Sequence, residues 1–241
     1  VAEGTATITA TESESGKTAT ATITVTTGST GNTLVDLANA YINSLSTEQK
    51  NATVVAFTAA NAARWSNQLA IPGSGGANSL RNGVAYSTLN PAQKAAWEAL
   101  VSAALGPSGY TQLQKSQAAD NYLSTLNSSY SGLYEYVGFV GAPTASGNWM
   151  LQIGGHNNAH NLYYTGNTRL TTTPYLVAAE PKSFTFNGTA FVPLLVQRDS
   201  MYNLVNSLTP TELTAAKLST SFSDLFLGPG KDARSNFPTG T

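Results

Sequence analysis

A chain of 241 residues can bury a full core, which suits one main domain with an appendage. Only 10% of its residues are charged, the net charge is −1 and no basic patch is visible, so nucleic acid and anionic membranes are poor candidates as partners. There is no Cys, which excludes disulfides, thiolate nucleophiles and zinc-thiolate sites, and no run approaches the ~20 apolar residues that cross a bilayer.

Thr, Ser, Asn, Gly and Ala take the place of charge on the surface. That pattern fits simple solubility, and it also fits an exported protein that meets saccharides, walls or other copies of itself. Val1 is not an initiator Met and no signal peptide precedes it, so a processed or trimmed chain is expected.

Residues 1–27 alternate with period two, as Thr5-Ala6-Thr7-Ile8-Thr9-Ala10-Thr11 and again from Thr18 to Thr26, with a polar turn over 12–17 containing Gly16. Alternation with β-branched residues predicts a β-hairpin with Ala6, Ile8 and Ala10 on one face and Ala19, Ala21, Ile23 and Val25 available to pair with them. The run from Gly4 and the run from Gly16 to Val25 resemble the last two strands of a bacterial Ig-like domain of the group-two type. That resemblance implies an extracellular or cell-surface address. A lone hairpin is marginal in water. Ile8, Ile23 and Val25 are therefore expected to dock on their own domain or on the sheet edge of a partner chain, such as another copy or a cell-surface protein.

Residues 28–33 read as a linker, and 34–241 as a single domain. Leu34, Leu37, Ala38, Tyr41, Ile42 and Leu45 share a helical face. Ser46-Thr47-Glu48-Gln49 is a capping-box pattern, predicting a helix through Val54, Val55 and Phe57 toward Arg64-Trp65. A Gly/Ser/Asn loop covers 71–82. Asn90-Pro91 starts a helix that ends at Gly106-Pro107-Ser108-Gly109, and a further helix covers Thr111 to Leu126. Strands are expected at Leu133–Val140, Trp149–Ile153, Asn161–Tyr164 and Tyr175–Ala179, with a hairpin around Asn187-Gly188. Helices follow over Pro193–Leu208 and from Thr209-Pro210 to Leu218, then an irregular tail. Helices, then strands, then helices predict an α+β fold with a central antiparallel sheet.

Over about residues 34–241 the text also resembles a bacterial family, the "domain of unknown function 3500". The matching stretches are Ala63-Arg64-Trp65, Gly83 to Leu89 with Gln93, Gly109-Tyr110, Asp120-Asn121-Tyr122-Leu123, Phe139 to Pro143, Gly147 to His156, Thr173-Pro174, Glu180-Pro181 and Asp224 to Gly230. The family pattern at the centre is Gly-His-His, three mostly apolar or small residues, then Asn. Gly155, His156 and Asn161 fit, Asn157 stands where the second His is usual, and His160 precedes the Asn. The resemblance implies that this copy has lost the chemistry of a His-His pair, or that His160 has taken it over. It also implies a chain that stops early, since family members generally continue past the Phe-Pro-Thr segment.

His156 and His160 are the only two histidines, placed directly after Gly154-Gly155. If they converge with Glu180, the carboxylate the resemblance favours, two imidazoles and a carboxylate would suit a divalent metal such as zinc. On one strand, residues four apart lie roughly 13 Å apart, so a turn at Asn157-Asn158 would be required. The plainer alternative has His156 bonded to buried backbone at the Gly-Gly bend and Asn161 capping a turn, and the lack of a His-Glu-x-x-His pattern favours it. Trp65, Trp97, Trp149 and Tyr163-Tyr164 could form a sugar platform, though core burial is the commoner fate of such residues. Three functions thus stand open. They are an exported surface module that binds or self-assembles through its N-terminal strands, a metal-dependent enzyme using His156, His160 and Glu180, and a saccharide-binding domain.

Overall fold

A computed structural model describes residues 4–11, 18–25, 33–72 and 81–218. The expected linker, apart from Thr33, the turn at 12–17, most of the 71–82 loop and the tail from Ser219 lie outside them. The chain divides into two units, Val1–Thr33 and Leu34–Thr241.

In the first unit, β1 (Gly4–Thr11) and β2 (Thr18–Val25) form a two-stranded antiparallel ribbon. Its register aligns Gly4 with Val25, Ala6 with Ile23, Ile8 with Ala21 and Ala10 with Ala19. Like meets like along the ribbon, as the alternation predicts.

The second unit is α+β, as expected. It opens with α1 (Leu34–Ser44), then α2 (Thr47–Thr53), where Ser46 and Gln49 complete the capping box. The helix stops at Thr53, well short of the expected Arg64-Trp65. Val54–Val55 forms β3, parallel to Phe139 and Val140, and a short α3 (Ala59–Ala62) follows. Two β-branched residues gain more from an inter-strand ladder than from another helical turn. The sheet is therefore mixed through this one pair and antiparallel elsewhere.

β4 (Val84–Ala85) and β3 share one edge of β5 (Tyr136–Val140). The entry to β4 needs Gly83, whose φ is +96° and where a Cβ would overlap the Val137 carbonyl. β6 (Asn148–Gly155) and β7 (Asn158–Thr165) continue the sheet, and β8 (Thr168–Thr171) and β9 (Tyr175–Val177) share the far edge of β7.

α4 (Pro91–Ser124) is the two predicted helices run together across a kink at Gly106, with Asn90 and Gln93 as its capping box. The core lies between the helices and one sheet face. Ala38 and Tyr41 of α1 and Trp97, Leu100, Val101 and Leu113 of α4 pack with Val137, Phe139, Trp149, Leu151, Ile153, Leu162 and Tyr164. β10 (Phe184–Phe186) and β11 (Thr189–Phe191) form the predicted hairpin, and α5 (Leu195–Ser207) and α6 (Pro210–Ala216) follow, with no buried residue in either helix. Among the described residues no helix is long and apolar enough to cross a membrane.

Candidate functional site

β6 and β7 form a tight hairpin whose last pair is Gly155 with Asn158, so His156 and Asn157 occupy the turn. Asn157 takes a left-handed conformation (φ 61°), which Asn tolerates well. The turn or bulge that the metal reading required was one residue later, and the expected strands were shorter. His156 is consequently in the turn, while His160 is inside β7, opposite Ile153 on one side and Tyr175 on the other.

The turn is clamped from every side. The Asn157 amide donates to the Asn67 carbonyl at 2.8 Å, and the Asn157 carbonyl accepts from Ala178 N–H at 2.7 Å. Arg81 is itself buried. Its Nη2 donates to the Gly155 carbonyl at 2.8 Å and to the Gln68 carbonyl, and its Nε donates to the Ser66 carbonyl at 3.0 Å. Asn158 Nδ2 donates to Glu135 Oε1 at 2.9 Å. A Cβ on residue 155 would overlap both oxygens of that same carboxylate, so the Glu135 side chain reaches the turn only because position 155 is Gly.

His156 reaches from this clamp to α4, where its Nδ1 meets Asp120 Oδ1 at 2.6 Å. One proton must sit between them. Carried as Nδ1–H and donated to the carboxylate, it leaves Nε2 with a lone pair. Asn157 Nδ2 lies 3.3 Å from Nε2, and Glu180 Oε2 lies 3.9 Å away. The Tyr130 ring meets the imidazole edge-on at 5.2 Å between centroids. The His156 side chain is 10% exposed, that of Asp120 beside Nδ1 is 5% exposed, and that of Glu180 beside Nε2 is 63% exposed.

Burial shapes the charges here. It raises the Asp120 carboxyl above its ordinary value, although the hydrogen bond and charge of His156 pull the other way. Burial also raises Glu135 to about 7, opposed by its bond to Asn158 and by the Arg81 charge, and reinforced by Asp120. The set is two buried carboxyls, a buried guanidinium and a largely covered imidazole. Carboxyls and an imidazole gathered in this way are the parts of an acid–base centre.

The expected metal set does not assemble in this way. His156 and Glu180 approach each other, but His160 is in the strand, with its ring edge-on to Tyr175 at 4.9 Å and neither ring nitrogen hydrogen-bonded among the described residues. Burial drives its pKa down to about 4. No group of three His, Asp or Glu able to hold a metal ion occurs among the described residues. His156 bonds a carboxylate and not the backbone expected at the Gly-Gly bend. Asn161 is fully buried and caps no turn; it accepts from Gln152 Nε2 at 2.9 Å and donates to the Pro174 carbonyl at 2.8 Å. Gly154 lets Arg81 lie against the strand, and Trp149 is a core residue. Trp97 and Tyr164 are buried too, which removes most of the supposed sugar platform.

Asp120 and Glu135 were legible only as two of several acids. One signal existed for Glu135: it has the same parity as Val137 and Phe139, the inward positions of β5.

No curated protein and no solved structure matches the chain. Residues 27–241 match the model of the family described as "Protein of unknown function (DUF3500)", a span that includes the whole domain bearing the Asp120–His156 pair, and the chain belongs to that family.

Proposed function

We propose that this domain catalyses proton transfer, with His156 as general base and then general acid. The observation that carries the reading is the 2.6 Å contact between His156 Nδ1 and Asp120 Oδ1. A carboxylate on Nδ1–H fixes the tautomer, turns Nε2 outward as the basic atom and stabilises the imidazolium that forms when Nε2 takes a proton. Among the described residues Nε2 is hydrogen-bonded to no hydroxyl, so the proton comes from water or from a substrate hydroxyl, and hydrolysis by an activated water is the simplest chemistry that follows.

The test is a panel of chromogenic carboxylic esters, glycosides and phosphoesters, assayed with the wild type and with His156→Asn. The wild type should turn over at least one class, and the variant should lose about 10²–10⁴-fold in rate while keeping its circular dichroism. Equal rates in the two proteins, or no turnover of any class by the wild type, would refute the proposal.

The setting is part of the same proposal. Residues 1–27 hold the closing strands of a bacterial Ig-like group-two module on an exported, surface-displayed protein. Their free edges take a strand from another copy or from a cell-surface partner. The support is that β1 and β2 pair only with each other among the described residues, leaving each with one open edge, and that Ile8, Ile23 and Val25 stand opposite Ala21, Ala6 and Gly4. The charge-poor, Thr-rich composition agrees with that address.

A further inference from the structure

The geometry points to a saccharide site in a cavity of about 480 Å³, walled in part by Ala179 and Lys182 on either side of Glu180-Pro181, that takes a neutral, polyhydroxylated ligand. Its role as substrate site rests on the preceding reading, whereas its ligand class does not.

The cavity is formed where the 179–183 segment meets α5. Ala179 and Lys182 line it, and they bracket the Glu180-Pro181 step whose carboxylate approaches His156 Nε2. The volume falls within the roughly 300–1,000 Å³ range of small-molecule sites.

Its chemistry suits hydroxyls better than a formal anion. Of the charged residues on the wall, Lys182, Arg198 and Asp199, the last two neutralise each other. Arg198 is already engaged with Asp199, since its Nε and Nη2 both donate to Asp199 Oδ1, at 2.8 and 2.7 Å. A guanidinium so committed is a poor sink for phosphate. The pair instead presents a donor and an acceptor side by side, and each sugar hydroxyl is both. Ser183 adds a further hydroxyl.

Tyr202 stands one helical turn beyond Arg198, on the same face of α5. It lines the cavity while remaining 61% exposed. An aromatic ring in that position offers a face for the apolar side of a sugar ring and a phenol for its hydroxyls. The aromatics first considered for this role, Trp97 and Trp149, are core residues. The ligand platform is on α5, outside the core.

The experiment uses the full chain on an array of neutral and acidic oligosaccharides, followed by calorimetric titration with the tightest neutral binder. Inorganic phosphate serves as the anion control. A neutral oligosaccharide should bind saturably, and Tyr202→Ala and Asp199→Ala should each weaken it tenfold or more. Both residues are exposed, so neither change should disturb folding. Binding limited to acidic glycans or phosphate, no binding at all, or undiminished binding by Tyr202→Ala would overturn the proposal. Because His156→Asn reports on turnover and Tyr202→Ala on binding, failure of the catalytic reading and failure of the ligand class are told apart.

Discussion

Trp149→Ala should destabilise the domain by about 3–5 kcal/mol, a large part of the total for a protein of this kind. Trp149 is fully buried, stacked on Tyr164 with centroids 4.6 Å apart and planes at 15°, and in contact with Phe139 at 6.1 Å. Its indole Nε1 donates to the Gly166 carbonyl at 2.9 Å, so truncation opens a cavity and also orphans a buried acceptor. Urea unfolding followed by far-ultraviolet circular dichroism measures the effect. A loss below about 1 kcal/mol would mean that the core is not built around this residue.

The second large effect is electrostatic and hidden in the wild type. Glu135 ordinarily titrates near 4.5, and in the folded chain near 7. Its contribution to stability is complete below about 4.5 and is lost as pH rises through about 7. His160 has the opposite sign: its ordinary 6.5 falls to about 4, so its contribution is complete above 6.5 and is lost as pH falls through about 4. Each shift corresponds to about 3 kcal/mol. The windows overlap, and the slopes largely cancel. Asp120, also raised by burial, leans the same way as Glu135, with Arg81, His156 and Glu180 the other charges around the pair.

Glu135→Gln preserves the acceptor for Asn158 but removes the titration. The variant should therefore lose up to about 3 kcal/mol of stability between pH 7 and pH 4, where the wild type changes little. Urea midpoints across that range provide the test. Parallel curves for the two proteins would show that Glu135 is not a protonated acid in the folded state.

What the sequence disclosed follows from the range of the interactions involved. The capping box at Ser46, the helix start at Asn90-Pro91 and the Asn187-Gly188 turn are local, and each was readable within a few residues. Val54-Val55 was misread because its ladder partner, Phe139-Val140, lies far along the chain, and a parallel pairing leaves no local mark. β8 went unseen because it is a short edge strand, and its Thr168-Arg169-Leu170 are exposed, so no buried period exists to detect.

The site divides in the same way. His156 was found by its scarcity and by the Gly pair before it. Asp120 was marked only as part of a family-matching stretch, because nothing within α4 marks one acid as the partner of a turn 36 residues further along the chain. His160 drew attention by its residue type alone. Its parity in β7 matches that of Leu162 and Tyr164, both core positions, and this was the better guide to its fate.

The shared proton between Asp120 and His156 is the point on which the functional account turns. Ring nitrogen-15 spectra of the two histidines, assigned with His156→Asn and His160→Gln, measure it directly. In neutral His156 the proton should be on Nδ1 and Nε2 should be bare, and Asp120→Asn should abolish that preference. A proton on Nε2 in the wild type, or a tautomer indifferent to Asp120, would contradict the account.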